Sequence, residues 1–153
     1  MEDKQKTGAR QTAVMLLITL SVALLLALTL ASNSAGAASG PFSGSYSGTY
    51  ASSLTGSGTA TFIGSSSITS HFHCGSGSCL ASATLTSSAH PTDSLSLGLF
   101  CRKPCPNPIH WQYNVTRGTG IFAKATGGGT AIYTLSGAGT GTFRATFTGT
   151  LTF

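Results

Sequence analysis

Charge is what this chain lacks most. Charged residues make up 7% of it, against about a quarter of an ordinary domain. Disorder does not follow, because 41% of the residues are hydrophobic and many of them alternate regularly with polar ones, as a chain with a packed core requires. Acid is scarcer still. Asp and Glu number 3 in all; Glu2 and Asp3 stand at the start, so beyond residue 37 the only side-chain carboxylate is Asp93. A two-carboxylate glycosidase needs a pair of acids and is excluded there. A Ser-His-Asp triad would have to use Asp93, and no Gly-x-Ser-x-Gly nucleophile elbow accompanies it. Gly56-Ser57-Gly58 and similar runs read as turns, since no helix follows them to cradle a phosphate. Catalysis without carboxylates, through a desolvated His or Tyr, stays open.

The formal net charge is +5. The basic residues beyond the first ten, Arg102, Lys103, Arg117, Lys124 and Arg144, are scattered apart from one adjacent pair. No aromatic-basic cluster joins them, so the reading is a lightly basic solvated surface and no nucleic-acid partner.

The N-terminus has the style of a bacterial export leader. Lys4, Lys6 and Arg10 precede an apolar run from Ala13 to Ala31. Small residues follow, spaced Ala35-x-Ala37. Basic start, apolar core and small-residue site describe a secretory signal peptide over residues 1–37, cleaved after Ala37. The run approaches the roughly 20 residues that span a bilayer, so an uncleaved anchor is the alternative. No Cys follows to carry a lipid. The expected location is outside the cell, with membrane contact only through the leader.

Residues 38–153 read as a single β domain. Phe42, Tyr46 and Tyr50 share one parity, with Gly44 and Gly48 between them. Ala60 and Phe62 continue such a pattern. Ile68, Phe72 and Cys74 oppose Thr69, His71 and His73. Ala81, Ala83 and Leu85 form a face, as do Leu95, Leu97 and Leu99. Ile109, Trp111, Tyr113 and Val115 form another. The last segment is the clearest: Phe143, Ala145, Phe147, Leu151 and Phe153 against Thr142, Arg144, Thr146, Thr148, Thr150 and Thr152. Period two with Thr enrichment is the strand signature. Gly-Ser runs, His90-Pro91 and Pro104–Pro108 supply turns. The expectation is all-β: about eight short antiparallel strands, the number at which a closed barrel is just filled by its own side chains. A sandwich would use similar strands.

The stretch Gly118-Thr119-Gly120-Ile121-Phe122-Ala123-Lys124-Ala125-Thr126-Gly127 can turn sharply and return Phe122 to a core. It resembles the Gly-Thr-Gly-x-Phe-x-x-Ala-x-Gly stretch of dirigent proteins and the wider allene-oxide-cyclase-like barrel group. The likeness extends loosely over Gly139–Phe153, so about the last third of the chain is covered. The resemblance implies an eight-stranded antiparallel barrel with an apolar interior, oligomeric in some members. In some members the cavity guides coupling or cyclisation of reactive small molecules through acidic and polar residues. Those acids have no counterpart here, so the fold carries over and the chemistry does not.

Cys74, Cys79, Cys101 and Cys105 in an exported domain read as a disulfide framework. If Ala81–Thr86 and Ser94–Phe100 form a hairpin turning at His90-Pro91, one register sets Cys79 opposite Cys101 and Cys74 near Cys105. That nested pairing is slightly preferred over local loops Cys74–Cys79 and Cys101–Cys105. His71-x-His73-Cys74 matches no zinc spacing, so no metal or other cofactor is expected. Asn114-Val115-Thr116 matches a glycosylation acceptor, a chance match in a bacterial protein.

Three functions compete. The first is a secreted non-catalytic barrel binding a small apolar ligand or a cell-surface polymer, with Trp111, Tyr113, Phe122, Phe143 and Phe147 as pocket residues. The second is a dirigent- or cyclase-like enzyme, which needs an open polar cavity with a titratable group inside. The third is a small outer-membrane barrel, suggested by the terminal Phe153 and opposed by short strands, short loops and the lack of aromatic girdles. Inward aromatics favour the first two and lipid-facing aromatics the third.

Overall fold

A computed structural model describes residues 38–153; the leader read over residues 1–37 and its cleavage point lie outside them. Eight strands follow in order: β1 Ser39–Tyr50, β2 Leu54–Ala60, β3 Gly64–Cys74, β4 Ser78–Ser87, β5 Ser94–Arg102, β6 Ile109–Thr119, β7 Thr126–Ser136 and β8 Gly141–Thr152. Each pairs antiparallel with the next, and β8 pairs with β1 to close a barrel. At the seam Ala38 and Phe153 exchange backbone hydrogen bonds of 2.7 and 2.8 Å. Closure leaves no free sheet edge, which matters for strands so rich in Thr and so poor in charge.

The alternation in the sequence sorts side chains by face, because successive residues of a strand point to opposite sides. Phe42, Tyr46, Leu97, Trp111, Tyr133, Phe143 and Phe147 are buried in the interior, and most of the Ser and Thr positions between such residues are exposed. The rings meet edge to face, Tyr46 with Phe147 at 5.8 Å and Tyr113 with Phe147 at 5.8 Å between centroids. Burying each such Phe is worth about 2 kcal/mol of area removed from water.

Several details depart from the sequence reading. The strands are not short; β1 and β8 have 12 residues each. Gly56-Ser57-Gly58 is no turn but lies in mid-β2, paired with Gly48, Ser47 and Tyr46. The backbones of β1 and β2 approach too closely there for a side chain: a Cβ on Gly58 would stand 1.9 Å from the Ser45 carbonyl oxygen. Phe62 does not continue the inward row after Ala60. It sits in the β2–β3 turn with φ of 70°, half exposed, while Ile63 takes the buried place.

The two barrel ends differ. One carries the connections β1–β2, β3–β4, β5–β6 and β7–β8, and with them all four cysteines. The other carries β2–β3, β4–β5, β6–β7 and the β1–β8 seam.

Candidate functional site

The five expected pocket residues do come together, as filling. Trp111, Tyr113, Phe122, Phe143 and Phe147 are all buried and belong to one apolar cluster inside the barrel. The interior void they and their neighbours leave is small. Leu54, Ser70, Phe72, Ala81, Ile109, Trp111, Tyr133 and Leu135 line a cavity of about 10 Å³ near the cysteine end. That is the space of one water-sized probe, well below the 300 Å³ or more of ordinary ligand pockets.

Three polar atoms in this interior have no hydrogen-bond partner: Trp111 Nε1, Tyr113 Oη and Tyr133 Oη. Tyr46 differs, with its hydroxyl 2.8 Å from the buried Ser66 hydroxyl. Burial pushes the Tyr113 phenol up to about 12. Tyr133 lies higher still, chiefly through burial, with Ser70 opposing and Tyr46 adding to the rise. Tyr46 is raised by burial, offset in part by Ser66. All three are therefore neutral phenols at ordinary pH, and none is poised as a base.

The one side-chain carboxylate among the described residues is occupied. Asp93 is buried, and its Oδ1 accepts the Ile121 N–H at 3.3 Å. Beside it, Thr119 Oγ1 donates to the Thr92 carbonyl at 2.6 Å and accepts the Ser94 N–H at 3.0 Å. These bonds tie the β4–β5 turn to the β6–β7 connection. A single 3-10 turn at Gly120–Phe122 follows, and it delivers Phe122 into the barrel end. There the Phe122 ring meets that of Phe153 at 4.9 Å. So Gly118–Gly127 plugs an end of the barrel, whereas β1–β8 pairing closes the wall. Asp93 stood out in the sequence by its solitude; its role as a latch depends on a contact between turns 28 residues apart.

The cysteines are paired locally, Cys74–Cys79 and Cys101–Cys105. The register expected between β4 and β5 is present, with Cys79 opposite Cys101. The nested pairing fails for another reason. The Gly75–Gly77 turn ends β4 at Ser78 and puts Cys74 on β3, opposite Cys79. Cys74 thus bonds its cross-strand neighbour Cys79, and Cys101 bonds Cys105 in the segment that follows β5.

The outer wall is mostly Ser and Thr. A transmembrane barrel shows the reverse, with apolar residues facing out and polar ones facing in. The aromatic rows of this barrel face inward, which removes the support the outer-membrane reading drew from Phe153. His71 and His73 are exposed on β3.

Comparison with protein-family models, with curated proteins and with solved structures finds no match to this chain.

Proposed function

We propose that this chain is an exported, non-catalytic β-barrel module that binds a cell-surface polymer with its outer wall. The observation that carries the reading is the filled interior: with about 10 Å³ of cavity, a ligand has to be met from outside. The same observation argues against a small apolar ligand held within, and against a cyclase-type reaction chamber. The two disulfides support export, since such bonds persist in oxidising compartments. The engagement of Asp93 as a latch supports a non-catalytic role. Kinship with the dirigent-like group is part of this proposal at the level of fold alone, carried by the resemblance of Gly118–Gly127.

The test is a pair of binding assays on protein recovered from the exported fraction. One presents immobilised polysaccharides, the other an apolar fluorescent probe with Trp111 quenching as readout. Retention on a polysaccharide without quenching is the expected result. Stoichiometric quenching, or retention on no polymer, would overturn the proposal.

A further inference from the structure

Among the described residues, the outward strand positions carry large apolar side chains at only three places, Leu80, Phe100 and Ile132, which are 57, 44 and 38% exposed. Leu80 and Phe100 are direct neighbours, and Ile132 lies beyond β6 on the same side of the wall. Leu80 pairs with Phe100, Phe100 with Gln112, and Ile132 with His110. His110 and Gln112 are two residues apart on β6 and so share a face. Basic groups gather at the same spot: Arg102 follows Phe100 by two residues on β5, Lys103 comes next, and His73 stands opposite Leu80. Of the five basic residues beyond the first ten, only the Arg102-Lys103 pair lies here; Arg117, Lys124 and Arg144 are elsewhere on the barrel.

The surface here is concave. Phe100, Arg102, Pro104, Pro106, His110 and Gln112 line a groove of about 340 Å³. Its proline rim is held in place at several points. The Cys101–Cys105 disulfide ties the rim to β5. Asn107 donates to the Leu135 carbonyl at 2.7 Å and accepts the Leu135 N–H at 3.0 Å. The Lys103 N–H reaches the Gly77 carbonyl at 3.2 Å. Among the described residues no acidic side chain opposes the cations, because the one acid, Asp93, is at the other end of the barrel.

We propose that this groove binds an acidic polysaccharide, one bearing carboxylates on its sugar rings. The inference rests on the surface-polymer reading above and names its site and ligand class. The Phe100 ring offers an apolar face to a sugar ring. Arg102 presents a planar fork of donors matched to a carboxylate, and Lys103 adds a point charge. Gln112 and His110 supply donors and acceptors for hydroxyls. An anionic membrane would find the same charges, but the large apolar side chains at outward strand positions are only Leu80, Phe100 and Ile132, set in a wall of Ser and Thr, too few to insert into a bilayer.

The experiment measures binding of the exported protein to polygalacturonate, to neutral dextran and to vesicles of phosphatidylglycerol. Expected is saturable binding to polygalacturonate alone, weakened by salt. Arg102→Ala and Phe100→Ala should each weaken it about tenfold or more, while Thr146→Ala on the far wall leaves it unchanged. Circular dichroism and thermal midpoint confirm that each variant is folded. If the variants bind like the parent, the groove is wrong and the polymer reading stands. If dextran binds equally well, or vesicles bind in place of polygalacturonate, the ligand class is wrong. If no polysaccharide binds, this inference falls together with the reading beneath it.

Discussion

The carboxylate of Asp93 occupies the space that a side chain on Gly120 would need. A Cβ built on Gly120 would lie 1.7 Å from Asp93 Oδ1, and the backbone there has φ of +59°. The acid and the glycine thus specify each other, one as acceptor for the 3-10 turn and the other as the only residue that leaves it room.

Gly120→Ala should therefore destabilise the barrel by about 2 kcal/mol or more, from left-handed backbone strain and the clash together. Asp93→Ala should cost about 1–3 kcal/mol, because the Ile121 N–H loses its partner. Asp93→Asn keeps an oxygen acceptor and should cost less. Urea unfolding of the three variants measures this ordering. Equal stability of Asp93→Ala and the parent would remove the latch.

How much of this was legible in the sequence depends on range. Period-two alternation in Phe143–Phe153 and Ile109–Val115 reports each residue's own face, so strands, inward aromatics and the closed barrel could be read from it. The β4–β5 register was equally legible, because a hairpin turning at His90-Pro91 fixes it. The turn at Gly75–Gly77 was not: Gly-Ser runs occur both as turns and inside strands here, and Gly56–Gly58 looks the same in sequence. That ambiguity let the β4–β5 register be carried past the turn to Cys74, which lies on β3 opposite Cys79, and so reversed the disulfide pairing. The groove was the least legible feature. Phe100, His110 and Ile132 meet only through pairing across β5, β6 and β7.

The local disulfides give a second prediction. Each closes a loop with a sequence separation of 5 or 4 residues, so each should contribute only about 2 kcal/mol on the chain-entropy scale. A nested Cys74–Cys105 bridge would close a much longer loop and contribute about 4 kcal/mol. Chymotryptic cleavage between Cys79 and Cys101 without reductant should yield fragments that separate, Cys74 with Cys79 and Cys101 with Cys105. Fragments that stay joined until reduced would show the nested pairing.

The buried tyrosines should respond differently to loss of their hydroxyls. Tyr46 bonds Ser66, which also donates to the Gly64 carbonyl, so Tyr46→Phe removes one of two hydrogen bonds of Ser66 and should cost about 1 kcal/mol. Tyr113 leaves its hydroxyl unpaired, so Tyr113→Phe should be neutral or stabilising, since removing an unsatisfied buried group relieves its desolvation cost. Thermal unfolding reads the sign. A loss of more than about 1 kcal/mol at Tyr113 would point to a hydrogen bond there.

Alkaline titration tests the same burial. In the unfolded chain these phenols ionise near their ordinary value of 10.0, whereas in the barrel Tyr113 is pushed up to about 12 and Tyr46 and Tyr133 are also raised. The folded state then holds protons that the unfolded state has lost. Stability should be fully present below pH 10 and should fall as pH climbs from there toward the folded values. The phenolate absorbance of Tyr46, Tyr113 and Tyr133 should accordingly appear late, with or after the loss of β-sheet circular dichroism. Tyrosinate signal from these residues at pH 10 in a protein that still shows its β-sheet spectrum would mean that the barrel interior is open to water.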